Sequence, residues 1–230
     1  MKKIFLFTLL ILAISNSAVF AQMDGKRFIS GSLSVGLGAT NPKHSPSSNS
    51  YGYNFDIGLG KFKTNTRASG WNLSTSLTGG KQYVGATLEP RTVEGINGIG
   101  VGVGHFWHYY KHFNEKFGVF GGPQVNVNYN YGKTTNVQSD GTTAEIYEIK
   151  QNSISLSLGL EAGAYYKLNE RWWLLASLGF SQPFAAKYTL ENTVKLPDSD
   201  QLTRHNFTYG FYPAINFPSV GVGLRYFFKD

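Results

Sequence analysis

The strongest constraint on the fold is a strict two-residue alternation over residues 154–168. A period of two indicates a β-strand with one apolar face. At about 3.3 Å per residue, this run can cross a bilayer as a tilted strand, which takes about 9 to 11 residues. Asn169 and Glu170 then predict a tight turn, and the alternation resumes over residues 172–181. The apolar positions of the first run are Ile154, Leu156, Leu158, Leu160, Ala162, Ala164, Tyr166 and Leu168.

The same alternation predicts further strands along the chain. They fall at residues 28–38, 51–61, 71–77, 99–110, 117–131 and 218–228, with a bulge or kink at Pro123. The connections after the second, fourth and sixth strands are short. Those after the first, third, fifth and seventh are long polar loops, predicted at residues 39–50, 79–97, 132–152 and 184–206. Residues 83–88 are a candidate extension of the hairpin that contains the second long loop, at residues 79–97.

This sorting of connection lengths is typical of transmembrane barrels, which have short periplasmic turns and longer external loops. Strands in hydrocarbon cannot leave an open edge, so the last strand must return to the first. The prediction is an all-β, transmembrane, antiparallel up-and-down barrel of eight strands in the cell outer membrane. Its apolar face contacts lipid, and its small polar face lines the interior.

Aromatic residues in this pattern predict two interfacial belts. The belt near the short turns comprises Trp107, Tyr109, Phe113, Phe117, Trp172, Trp173, Tyr226 and Phe228. The belt near the long loops comprises Tyr51, Tyr53, Tyr129, Tyr131, Tyr209 and Tyr212.

The N-terminus has the pattern of a secretory signal peptide. Lys2 and Lys3 precede an apolar run and small residues ahead of Gln22, which predicts a signal peptide at residues 1–21 and a barrel domain at residues 22–230. The sequence contains no cysteine, so no disulfide framework holds the fold. The formal net charge is +7, but the basic residues are scattered, which argues against a nucleic-acid partner.

Two local motifs strengthen this interpretation. Residues 167–172 read KLNERW at a predicted periplasmic turn, and the last strand ends in Tyr226-Phe227-Phe228. With the strand pattern, they make the chain resemble the small eight-stranded outer-membrane β-barrel family of Gram-negative bacteria, the porin-like "outer membrane protein beta-barrel domain". The resemblance implies that the barrel-assembly machinery reads the terminal aromatic strand. Here Lys229 and Asp230 follow the last Phe.

Three charged residues fall on the inward register of the predicted strands. Asp56, Glu161 and Arg225 lie at similar heights above the short turns, so we expect an ion-pair network inside the barrel, because charges there must be paired or in contact with water. The network is either a structural filling of the barrel or a constriction that acts as a gate. Eight strands leave an interior only just wide enough for side chains, which favours the structural role.

Other candidate sites are weaker, and no catalytic, cofactor-binding or metal residues are predicted. His105 and His108 point to opposite faces of a strand, so a metal site with His112 is disfavoured. The glycines at 98, 100, 102 and 104 lack the spacing of a dinucleotide loop. A lipid A-modifying enzyme would need a nucleophile and base such as Ser45 with His44 or His205, and the sequence does not place them together.

The leading hypothesis is therefore a non-enzymatic barrel with a structural or surface-interaction role. A narrow channel for small solutes is the alternative, and a lipid A-modifying enzyme is the third. The expected partners are outer-membrane lipids, lipopolysaccharide and the barrel-assembly machinery, and we expect a monomer.

Overall fold

The computed structural model describes residues 23–43, 46–84, 91–139, 144–196, 201–211 and 220–229. The predicted signal peptide lies outside them. The described residues form β1 Arg27–Thr40, β2 Ser48–Thr64, β3 Arg67–Val84, β4 Arg91–His112, β5 Phe117–Ser139, β6 Ala144–Lys167, β7 Trp172–Leu196, β8 Gln201–Phe211 and β9 Val220–Phe227. No helix within these ranges is long and apolar enough to cross a membrane.

All of these strands belong to one antiparallel sheet that closes on itself. Pairing runs in sequence order from β1 to β7, then from β7 to β9 and back to β1. The closing contact joins residues 28–31 of β1 to residues 224–227 of β9. β7 is long enough to pair with β9 at its start, over residues 172–178, and with β8 further on, over residues 184–194.

The two faces of the sheet divide as the alternation predicts. Leu156 and Val222 are 42% and 67% exposed on the outside of the barrel, whereas Ser157 is only 4% exposed inside it. The outer apolar side chains therefore have no protein partner that covers them. In a membrane they bury this surface against lipid tails instead of a dry core.

Three tight connections lie at one end of the barrel, hereafter the turn end. They join β2 to β3, β4 to β5 and β6 to β7, as predicted. At the second of them the Asn114 carboxamide oxygen accepts from the backbone N–H groups of Lys116 and Phe117, at 2.8 and 2.7 Å. Asn169 does the same for Arg171 and Trp172, at 2.9 Å each. Such Asx turns explain why these asparagines fix the ends of the strands.

At the opposite end, hereafter the hairpin end, the structure has strands where the sequence predicted long loops. Most of residues 79–97, 132–152 and 184–206 are strand, because β3 to β8 continue pairing past the apolar band. β1 and β2 also reach into the predicted loop at residues 39–50. The alternation lapses there because both faces of a strand above the lipid meet water, although the backbone ladder continues.

The last predicted strand, residues 218–228, corresponds to β9. Its first two residues lie outside the described ranges, and β8 overlaps the predicted loop at residues 201–206. The structure has no bulge at Pro123. Pairing between β4 and β5 skips residues 107–108 and 122–123 and resumes in the same register, as expected next to a proline, which has no N–H to donate.

The outward aromatic residues form two groups at the two ends, with one correction. Trp172 is 41% exposed, as a belt residue should be, but Trp173 is 1% exposed and lies inside the barrel. Adjacent strand residues point to opposite faces, so the two tryptophans cannot share a belt. Tyr212 lies outside the described residues.

Candidate functional site

The lumen at the turn end is filled by a cluster of aromatic side chains, hereafter the aromatic plug. Its members pack ring against ring: Tyr165 stacks on Trp173 with centroids 4.4 Å apart, and Trp173 contacts Phe227 at 4.7 Å. Phe62 and Tyr110 are 4.8 Å apart. All members are buried. They are Phe28, Phe62, Phe106, Tyr110, Phe120, Tyr165, Trp173 and Phe227.

Sequence reasoning missed the plug because it described the inward register as mostly small and polar. That description holds for the middle of the strands, but close to the short turns the inward positions are large rings. Glycines on neighbouring strands make room for them. A Cβ on Gly60 would collide with the Phe28 ring, and one on Gly70 would lie 2.7 Å from Cζ of Phe106. Inward aromatics opposite glycines near each turn were the available signal.

Arg225 lies at the centre of the plug and is 2% exposed. Its Nη1 donates to the Tyr110 hydroxyl at 2.6 Å, and its guanidinium carbon is 4.0 Å from the centre of the Phe28 ring. Contacts of this kind between a guanidinium and an aromatic face are attractive, more so when both are desolvated. Its Nε has no hydrogen-bond partner among the described residues.

Above the plug the lumen contains a polar cavity of about 440 Å³. Phe106 and Phe120 form part of its lining together with serine, asparagine and glutamine side chains. Glu161 is 3.3 Å from Nε2 of the buried His108, and the Ser32 hydroxyl donates to Asp56 at 3.5 Å. Asp56 is exposed, so the interior is open at its height.

The three predicted interior charges thus line the same cavity but have different partners. Arg225 binds Tyr110, Glu161 faces His108, and Asp56 accepts from Ser32. No ion pair between any two of the three occurs in the described part of the chain. A gating role for them stays a prediction.

The histidines are separated by the faces of β4. His105 lies outside, between Trp71 and Trp107, with ring centroids 4.9 and 4.3 Å away, while His108 is inside, stacked on Phe106. Within the described ranges no group of three metal-ligating side chains comes together. His205 hydrogen-bonds Tyr188 at 2.6 Å. His44 and Ser45 lie outside the described residues.

Beyond the apolar band, β5 to β8 continue as a sheet, hereafter the extension, formed by residues 133–139, 144–150, 190–196 and 201–206. Glu148 pairs with Lys133 at 2.8 Å and with Lys150 at 3.0 Å. These hydrogen bonds, that from Lys133 first, lower the pKa of Glu148 below its ordinary value. The pair of Glu148 with Lys133 links β6 to β5, and cross-strand charge pairs of this kind stabilise a sheet.

A closed antiparallel sheet with an apolar exterior defines the class of transmembrane β-barrels. The sequence profile of the family described as outer membrane protein beta-barrel domain matches residues 6–212 of the chain. The chain belongs to this family, and its location is the cell outer membrane. No curated protein matches it.

Proposed function

We propose that the chain is a closed, non-catalytic outer-membrane barrel with a structural and surface-interaction role. The observation that carries this proposal is the aromatic plug, which fills the lumen at the turn end around a buried arginine. Its buried rings pack against one another inside the lumen, which opposes the passage of a hydrated solute. The plug therefore favours a structural barrel over an open channel.

The proposal includes a strand count and an orientation. β8 and β9 pair with successive parts of the same edge of β7, so we take them as two parts of an eighth barrel strand. Short turns face the periplasm in barrels of this kind and longer hairpins face the exterior. The extension then stands on the cell surface, where it can contact lipopolysaccharide or other surfaces.

The proposal also includes export and assembly in a Gram-negative cell. Residues 1–21 serve as the signal peptide, and residues 22–230 remain as a monomeric barrel. The terminal strand, ending in Tyr226-Phe227-Phe228, is the segment that the barrel-assembly machinery reads.

Conductance in planar bilayers tests the closed lumen. We expect no discrete current steps from purified wild-type protein whose insertion is verified by its heat-modifiable migration in detergent gels. Regular unitary steps from the wild-type barrel would contradict the proposal.

The second candidate is a narrow channel, and the polar cavity with the exposed Asp56 favours it. A channel lined by this carboxylate would prefer cations. Unitary steps whose cation selectivity falls in Asp56→Asn, and not in the extension variant Glu191→Gln, would establish this function instead.

The absence of native cysteines makes the orientation directly testable. Asn136→Cys lies in the extension and Glu115→Cys at a short turn, and both positions are exposed. In intact cells, a membrane-impermeant maleimide should label Asn136→Cys alone, and both should react after lysis. Labelling of Glu115→Cys in intact cells would reverse the proposed orientation.

A further inference from the structure

The lipid-facing surface at the turn end holds a group of cations from three adjacent chain segments. Arg27 on β1 lies directly opposite Lys61 on β2. The backbone N–H of Phe228 donates to the Arg27 carbonyl at 3.0 Å, which brings Lys229 beside them. Gly25, Arg27, Lys61, Phe228 and Lys229 line an open surface hollow, hereafter the basic hollow.

This arrangement of charge is unfavourable without a bound anion. Directly opposed residues of an antiparallel pair have Cβ atoms about 4.5–5.5 Å apart, and like charges there destabilise the sheet. Among the residues that the structure describes, no acidic side chain lines the hollow. The ion pairs of the described residues lie elsewhere, in the lumen and the extension.

The register places these cations at the depth of lipid head groups. Lys61 pairs with Ser69, which pairs with Trp107 of the outer aromatic group. The next row of outward-facing residues, two positions along each strand toward the apolar band, consists of Ile29, Leu59 and Trp71. Exposed aromatic residues mark the interface between hydrocarbon and head groups, so Arg27 and Lys61 lie where phospholipid phosphates lie.

We propose that the basic hollow binds the phosphate of an anionic phospholipid, such as phosphatidylglycerol. The Arg27 guanidinium presents a planar pair of donors that matches phosphate oxygens, and the lysine ammonium groups supply further charge. The acyl chains extend along Ile29 and Leu59. Assigning this lipid to the periplasmic leaflet rests on the orientation proposed above, but binding itself does not.

Native mass spectrometry of the full barrel, released from detergent micelles, tests the site with phosphatidylglycerol and with zwitterionic phosphatidylethanolamine. The test variant is Arg27→Gln/Lys61→Gln. The matched control is Lys111→Gln/Lys116→Gln, which removes the same charge from two exposed positions, one near the end of β4 and one in the β4–β5 turn. Heat-modifiable migration verifies that each variant is folded.

We expect wild type and control to bind phosphatidylglycerol alike and the test variant to bind it about tenfold more weakly, since each basic residue near a lipid surface contributes substantially to anionic lipid binding. An equal loss in the control would show diffuse charge attraction and overturn the site. Equal binding of phosphatidylethanolamine would also overturn it. Displacement of the lipid by equimolar inorganic phosphate would assign the hollow to free phosphate instead. Maleimide labelling reports the orientation independently, so the two proposals can fail separately.

Discussion

Arg225 and Tyr110 form a buried hydrogen bond of 2.6 Å between residues 115 positions apart in the chain. The bond joins β9 to β4 across the lumen, inside a cluster of aromatic rings. A charge in such a place is tolerated only if its hydrogen-bonding and electrostatic needs are met. The stability of the turn end therefore depends on this pair.

Removing the hydroxyl of this pair should destabilise the barrel. Tyr110→Phe keeps the ring packing and leaves Arg225 without its donated bond, so we expect the free energy of unfolding to fall by about 1.5–3 kcal/mol, as for hydrogen bonds to charged groups. Urea unfolding in detergent measures it. In an Arg225→Met background the same substitution should cost much less, because the charge is gone. An equal cost in both backgrounds would contradict the pairing.

Close packing of the strands around the plug should make Gly70 intolerant of a side chain. A Cβ there would lie 2.6 Å from Cα of Gly60 and 2.7 Å from Cζ of Phe106. We expect Gly70→Ala to lower the free energy of unfolding by about 1–3 kcal/mol through overpacking. Gly36→Ala is the matched control, since no atom lies within 4 Å of its Cβ, and it should change stability by about 0.5 kcal/mol or less. Equal effects would refute the packing of the plug.

Acid should loosen the extension through Glu148. Its pKa in the folded protein is held below the ordinary 4.5 by Lys133 and Lys150, so its contribution to stability is complete above pH 4.5 and decreases as the pH falls through the lower folded-state pKa. Pepsin cleavage within residues 144–150 should increase over that window. Glu148→Gln should lack this component of the pH dependence. An identical pH profile for the two proteins would exclude the ion pairs as the cause.

The faces of the barrel strands could be predicted from the sequence because a period of two assigns every residue to one side. Leu156 and Ser157 show this directly. Trp173 was wrongly assigned to the belt of Trp172, because aromatic residues near the turn end occupy both registers, one facing lipid and one facing the plug. Strand alternation alone places Trp172 and Trp173 on opposite faces. It assigns Trp173 to the interior only if the interior can hold large rings.

The extension and the partners of the interior charges could not be predicted in the same way. Lys133 and Glu148 lie in strands whose two faces both meet water, so hydrophobicity carries no period there. The partner of Arg225 depends on the register of several successive strand pairs, and a slip of one residue would turn its side chain to the other face. The similar height of the three charges predicted an ion-pair network, whereas in the described part of the chain they line one cavity and contact other partners.

The assignment of faces underlies every other conclusion and can be measured on two adjacent residues of β5. Val127 is exposed on the outer surface, and Asn128 lines the polar cavity. Spin labels on Val127→Cys and Asn128→Cys, in the barrel reconstituted into phosphatidylcholine vesicles, report collisions with lipid-soluble oxygen and with a water-soluble nickel chelate. The fold predicts oxygen-dominated relaxation at position 127 and much lower oxygen access at position 128. A label at 128 in contact with lipid, beside a label at 127 shielded from oxygen, would contradict it.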